Sequence, residues 1–155
     1  MPSGDASTPG DEARSAANVI AIRSAADIVL ARQEGRALAS RFGFTGSDLT
    51  VIATAISELA RNIVTYAKKG VIRLKVINGG SNGHGIQVVA QDEGPGIADL
   101  DQALRDGFST SGSLGLGLPG VRRLVDEFRI ESKRNRGTTV TVTKWRTGNG
   151  QLVTH

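Results

Sequence analysis

Apolar residues recur along this chain with two periods, one of three to four residues and one of two, and the alternation between them predicts the elements. The run Asn18-Val19-Ile20-Ala21-Ile22-Arg23 predicts a short first strand. From Ala26 the positions Ile28, Val29, Ala31, Ala37, Leu38 and Phe42 return at helical spacing until Gly43 stops them, so a helix is predicted over 26–41. Its charged positions Arg32, Glu34 and Arg36 read as a solvated face, with a docking surface as the alternative. A second helix is predicted from a cap at Ser47 or Asp48 through Ala67, ending before Gly70, with Ile52, Ile56, Leu59 and Ile63 as its buried stripe. Strands follow over 71–77 and 86–90, joined by the polar turn 78–84, which contains His84. Beyond a glycine-rich region, Val121, Leu124, Val125 and Phe128 predict one more helix face. Segments 129–133 and 138–145 then predict a second hairpin, in which Thr139, Thr141 and Thr143 alternate with Val140 and Val142.

Neighbouring strands in pairs argue against a doubly wound parallel sheet. The expected fold is a two-layer α/β sandwich, a mixed and largely antiparallel sheet with helices on one face. One domain is expected over 18–146, preceded by a disordered tail, 1–17, and followed by a loose tail, 147–155.

Composition removes several function classes. The 155 residues contain no cysteine and only two histidines, His84 and His155, so disulfides, thiol nucleophiles, zinc ribbons and a Ser-His-Asp triad are not expected. The formal charge is +4, but aromatics make up 4% of the chain and the basic residues are scattered, so nucleic acid is not an expected partner. The N-terminal segment lacks a signal peptide's basic start and apolar core. No apolar run approaches the roughly 18 to 20 residues of a membrane span, and a cytoplasmic protein with no membrane partner is expected.

The 20 glycines exceed ordinary usage and gather where chemistry is expected. Asp92-Glu93-Gly94-Pro95-Gly96 follows the alternating strand run, and Gly112-Ser113-Leu114-Gly115-Leu116-Gly117 leads into a helix. Glycine permits close approach of backbone to a ligand, and a helix beginning near Leu116 would aim free N–H groups at an anion. Ordinary turns are the alternative, but strand, carboxylate, glycine loop, lid and helix start in this order point to a nucleotide phosphate site. Neither a G-x-G-x-x-G dinucleotide fingerprint after the first strand nor a G-x-x-x-x-G-K-[ST] loop is present. Upstream, Glu58 and Asn62 lie four apart and so share one helix face. A carboxylate can take a proton from an attacking hydroxyl and a carboxamide oxygen can ligate Mg²⁺, although the same pair is ordinary on an exposed face.

Four ordered segments, Ser57-Glu58-Leu59-Ala60-Arg61-Asn62, Asp92-Glu93-Gly94-Pro95-Gly96-Ile97, Gly115-Leu116-Gly117-Leu118 and Gly137-Thr138-Thr139, resemble the conserved boxes of the GHKL ATPase/kinase superfamily. Within it the chain most resembles the small anti-sigma-factor type serine kinases, and among these the switch kinases of the bacterial stressosome. The resemblance implies a Bergerat fold that binds ATP and Mg²⁺. It places Asp92 on the adenine amino group, with Thr138 assisting through water. Gly94 and Gly96 would pass close to the nucleotide, while Ser109, Thr110, Ser111, Gly112 and Ser113 close over the phosphates. Gly115, Leu116 and Gly117 would supply phosphate-binding amides, Asn62 would hold Mg²⁺ and Glu58 would be the catalytic base. Tyr66 matches an aromatic position that stacks on adenine, with core packing at the helix end as the alternative. Thr65 departs from the pattern, because many histidine-kinase relatives have lysine there. Arg61, Lys68 and Lys69 are either phosphate partners or solvated residues.

The implied activity is transfer of the γ-phosphoryl of ATP to a Ser or Thr of STAS-domain antagonist or scaffold proteins, of the RsbS and RsbR type. It includes a second client, a PP2C-type phosphatase of the RsbU type, which the released protein would activate. The competing reading is an ATP-dependent anti-sigma or partner-sequestering module with little turnover. A histidine-kinase fragment is disfavoured, because neither histidine sits on a predicted dimerising helix.

Overall fold

In the computed structural model the described residues are 18–97, 104 and 117–147. Their order is β1 (Asn18–Ile22), α1 (Ala25–Arg41), α2 (Ser47–Asn62), a π-helical turn (Ile63–Ala67), β2 (Gly70–Asn78), a 3₁₀ turn (Gly80–Asn82), β3 (His84–Asp92), α3 (Gly117–Leu124), β4 (Glu127–Lys133) and β5 (Gly137–Trp145). The five strands form one sheet in the order β1-β2-β3-β5-β4, and every neighbouring pair is antiparallel. The expected two-layer α/β sandwich is present, with no parallel pair among the described strands.

Strand alternation decides which face the helices cover. Ile20 and Ile22 of β1, Ile72, Leu74 and Val76 of β2, Ile86, Val88 and Ala90 of β3, and Val140 and Val142 of β5 are buried in one apolar cluster. Arg73, Lys75 and Gln91, on the opposite face, are exposed. Helix α2 contributes Ile52, Ala55, Ile56, Leu59 and Ala60 to this cluster, followed by Ile63 in the π-helical turn. Each Ile or Leu among them contributes roughly 1.5–3 kcal/mol when removed from water, so α2 is held as a rigid rod across the sheet.

The buried stripe on α1 keeps Ile28, Ala31 and Leu38 of the predicted positions, but the predicted Val29 and Ala37 are exposed and Gly35 and Ala39 are buried instead. Leu30 is exposed as well. Gly35 occupies a core position that a hydropathy pattern counts as neutral. A Cβ there would collide with the Ile56 side chain, so the missing side chain lets α1 and α2 pack closely.

Two local expectations are corrected. Phe128 does not extend the last helix, which ends at Leu124; it lies on β4, where Phe128 and Ile130 share a half-buried face. The spacing 121, 124, 125, 128 fits a helix, but Asp126 turns the chain first: its N–H bonds Thr143 O at 2.9 Å while its carboxylate accepts the Trp145 N–H at 2.7 Å.

Neither Ser47 nor Asp48 is the helix cap; both lie inside the helix. Gly46 occupies the cap position with no side-chain bond, and Asp48 is 4% exposed. Its carboxylate accepts the Thr147 N–H at 2.8 Å and the Thr147 Oγ1–H at 2.7 Å, with Lys144 Nζ at 3.7 Å. Arg146 donates to Phe42 O at 3.2 Å nearby. Thr147, assigned by sequence to the loose tail, is therefore tied to the start of α2, while 148–155 and the tail 1–17 fall outside the described residues. His84 opens β3, its ring set edge-on to Phe42 with centroids 5.4 Å apart.

Because Asp48 is a buried anion with two hydrogen bonds and a cation, Asp48→Ala should destabilise the fold by about 1–3 kcal/mol. Urea unfolding should show a lower midpoint at an unchanged slope.

Candidate functional site

One end of the sheet collects the chemistry-bearing residues. Asp92 is the last residue of β3, and its neighbours across the ladders are Gly70 on β2 and Thr138 on β5. Asp92 Oδ1 accepts the Gly94 N–H at 2.8 Å, which turns the chain sharply off the strand. Among the described residues nothing hydrogen-bonds to Oδ2, so half of this half-buried carboxylate remains open as an acceptor.

The approach to Asp92 requires glycine. Gly137 has φ +103°, and a Cβ on it would run into the Asp92 carbonyl. Gly96 has φ +79°, and a Cβ there would strike the Lys133 carbonyl. The loop after β3 is thus pressed onto the β4–β5 turn, and Asn135 N–H bonds Pro95 O at 2.8 Å. Gly94 backs onto Ala67 at the end of the π-helical turn.

Ser132, which the sequence did not single out, joins these pieces. Its Oγ accepts the Ile97 N–H at 2.7 Å, lies 2.8 Å from Thr138 Oγ1 and 3.2 Å from the Gly137 carbonyl oxygen. A lone serine in an alternating strand carries no signal of its own; the β4–β5 register, which sets Ser132 opposite Thr138, is what places it.

The second group lies on α2. Glu58 is 7% exposed although it is charged. Its Oε2 lies 2.6 Å from Arg61 Nη1, and its Oε1 accepts the N–H of Gly117, the first residue of α3, at 3.3 Å. Burying a carboxylate without a cation or donors is costly, and here both oxygens are engaged. Arg61, half-exposed, is therefore an ion-pair partner of Glu58 rather than a freely solvated residue, while Lys68 and Lys69 are exposed.

Asn62 ends α2 half-buried, and among the described residues its side chain has no hydrogen-bond partner. The helix then widens into the π-helical turn, a feature often found at functional sites. Tyr66 in this turn is 45% exposed, which rules out the core-packing alternative. Lys68, with φ 73°, closes it.

Glu58 and Gly117 thus meet at one junction, with Asn62 one turn further along α2, and Asp92, Gly94, Gly96 and Thr138 belong to another beside the π-helical turn. The remaining predicted residues, Ser109, Thr110, Ser111, Gly112, Ser113, Gly115 and Leu116, lie outside the described residues. Among the described residues no cluster of three or more His, Cys, Asp or Glu side chains is arranged to hold a metal ion, and no helix is long and apolar enough to cross a membrane.

This arrangement, an antiparallel sheet backed by helices with a carboxylate and glycine turn at one end, is matched by sequence. The family profile of the histidine kinase-like ATPase domain covers residues 23–144. The chain belongs to this family. Among relatives of the family, the serine/threonine-protein kinase RsbT of Bacillus subtilis (strain 168) is 52% identical over 120 residues, covering 77% of this chain and 89% of that protein. The anti-sigma F factor of Thermoanaerobacter sp. (strain X514) is 30% identical over 118 residues, covering 74% of this chain and 82% of its own. Among solved structures, a Mycobacterium tuberculosis protein with RsbU and RsbW domains superposes with a TM-score of 0.58 at 22% identity. That match covers 83% of this chain but 32% of the other, and it supports the fold alone. Membership in an ATPase family implies use of ATP.

Ser132→Ala should leave the Ile97 N–H without its acceptor. Amide exchange at Ile97 should accelerate at least tenfold while the core amides of β3 keep their protection, a contrast that native-state exchange measured by NMR resolves.

Proposed function

We propose that this chain is a protein serine/threonine kinase that transfers the γ-phosphoryl of Mg-ATP to a seryl or threonyl hydroxyl. The observation that carries the reading is the buried Glu58 carboxylate. It lies one helical turn before Asn62 and hydrogen-bonds to the first amide of α3. A carboxylate in that place serves proton transfer at an anion site. The 52% identity to a protein named as a serine/threonine kinase supports the same reaction.

Each residue has a part that its surroundings permit. The open Oδ2 of Asp92 would accept from the exocyclic amino group of adenine, giving base selectivity, and Thr138, across the ladder, would assist through water. Exposed Tyr66 is available to stack on the base. Gly94 and Gly96 keep the backbone low beside the nucleotide. The amide of Gly117, with those of Gly115 and Leu116, would bind phosphate oxygens at the start of α3, under a lid formed by Ser109, Thr110, Ser111 and Gly112.

The Asn62 carboxamide, free of described partners, fits Mg²⁺. That ion prefers hard oxygen donors and is commonly held by one or two protein oxygens together with water and substrate phosphates. Bound there, it would neutralise charge on the phosphoryl oxygens.

In the transfer, the acceptor oxygen forms a bond to the γ-phosphorus as the bond to the β–γ bridging oxygen breaks. The bonding pair leaves with ADP, and the acceptor's proton passes to the Glu58 carboxylate. The geometry asks Glu58 to orient and deprotonate the hydroxyl, and asks the backbone amides to stabilise the moving phosphoryl group.

The name of one relative, an anti-sigma F factor, supports clients in sigma-factor control; within that class, the family resemblance of the sequence points to STAS-domain antagonist or scaffold proteins as phosphate acceptors and a PP2C-type phosphatase as the later partner. The similarity to an anti-sigma F factor favours one second reading, a module that sequesters its partner with little turnover.

Mixing the protein with γ-labelled ATP and a purified STAS-domain antagonist protein separates the two readings, because sequestration leaves the antagonist unlabelled. Glu58→Gln should reduce transfer by about 10²- to 10⁴-fold with ATP binding retained, since general-base catalysis is of that size. Asp92→Asn presents a donor where an acceptor is needed and should weaken ADP binding about 10- to 100-fold in calorimetry. Normal transfer by Glu58→Gln, or unchanged ADP affinity in Asp92→Asn, would remove the corresponding assignment.

A further inference from the structure

The two oxygens of Glu58 are held unequally. Arg61 Nη1 lies 2.6 Å from Oε2, a short charge-assisted bond, whereas the Gly117 N–H reaches Oε1 at 3.3 Å, near the outer limit for such a bond. Glu58 is nearly enclosed, with 9% of its side chain exposed, while the Arg61 side chain is 42% exposed. Arg61 is the only cation paired with Glu58 among the described residues. Arg61 follows Glu58 by three positions on α2, so a rigid helix fixes the pair independently of the glycine-rich segment.

We propose that Arg61 is a positioning residue for the phosphoryl transfer: it clamps Glu58 through Oε2 and leaves Oε1 as the oxygen released to take the acceptor's proton. This role rests on Glu58 being the base. A nucleotide phosphate carries more negative charge than one carboxylate oxygen, so it outcompetes Oε1 for the Gly117 amide at the start of α3. The longer bond is the one that yields. Oε1 is then freed only when nucleotide is seated, which couples the base to substrate arrival. The shorter bond stays, because an Arg61 that swung to the phosphates would leave a buried carboxylate with no cation, which is strongly unfavourable. The planar fork of Arg suits this clamp, and the point charge of Lys suits it less well.

Four proteins test the clamp: wild type, Arg61→Met, Arg61→Lys and Glu58→Gln. Each is assayed for single-turnover transfer from γ-labelled ATP to a saturating purified STAS-domain antagonist protein, and for affinity toward a non-hydrolysable ATP analogue. Arg61→Met should slow transfer about 10- to 100-fold, part of the general-base contribution, with analogue affinity within twofold of wild type. Arg61→Lys should recover part of the rate. A transfer rate within twofold of wild type in Arg61→Met overturns the proposal. So does a loss of analogue affinity that matches the loss of rate, because Arg61 would then be a phosphate contact. Wild-type transfer by Glu58→Gln overturns the base assignment itself, and with it any clamp, whatever the Arg61 variants do.

Discussion

The register of β3 between β2 and β5 is the constraint on which the rest depends. Nine residues pair on the β2 side, from Asn78 opposite His84 to Gly70 opposite Asp92, and the β5 ladder ends at the same residue, Asp92 opposite Thr138. A slip of one residue would turn Ile86, Val88 and Ala90 out of the core and turn Asp92 away from its turn. The apolar face that stabilises the sheet therefore also sets the direction of the carboxylate. Gly137, beneath the Asp92 carbonyl, allows the two strands to close at that end.

Helix α2 carries the same logic in the other layer. Its start is fixed by Asp48, which ties in Thr147 and Lys144, its middle is buried against the sheet, and its end presents Glu58, Arg61 and Asn62. Asp48 and Glu58 are ten residues apart, about 15 Å at helical rise. The polar anchor thus holds the rod without touching the chemistry. Glu58 is charged and buried, a combination that costs stability unless donors surround it, and sites that move protons commonly bear such a cost.

Much of this was legible in the sequence. Strict alternation located β2, β3 and β5 within two residues, and the Ile52, Ile56, Leu59 and Ile63 stripe located α2, because both patterns belong to elements with one buried face. What escaped was tertiary. Gly35 has no hydropathy to reveal a core position, and Phe128 satisfied two periods at once. Asp48 had the composition of a cap but the contacts of an anchor. Ser132 became visible only when the register set it beside Thr138, and Arg61, read as a solvated or phosphate-binding residue, was engaged by the carboxylate three positions before it. The first glycine cluster is placed at the end of β3, where Asp92, Gly94 and Gly96 pack against the β4–β5 turn; the second, Gly117 apart, lies outside the described residues.

The central claim is that an adenine nucleotide seats between the end of β3 and the start of α3. A titration of the isotope-labelled protein with Mg-ADP, followed by amide NMR, tests it most directly. The account predicts saturable shifts at Asn62, Gly94, Gly96, Gly117 and Thr138, with His84, about 27 Å away along the strand, left unchanged. Shifts that never saturate, or that gather at the His84 end of the sheet, would contradict it.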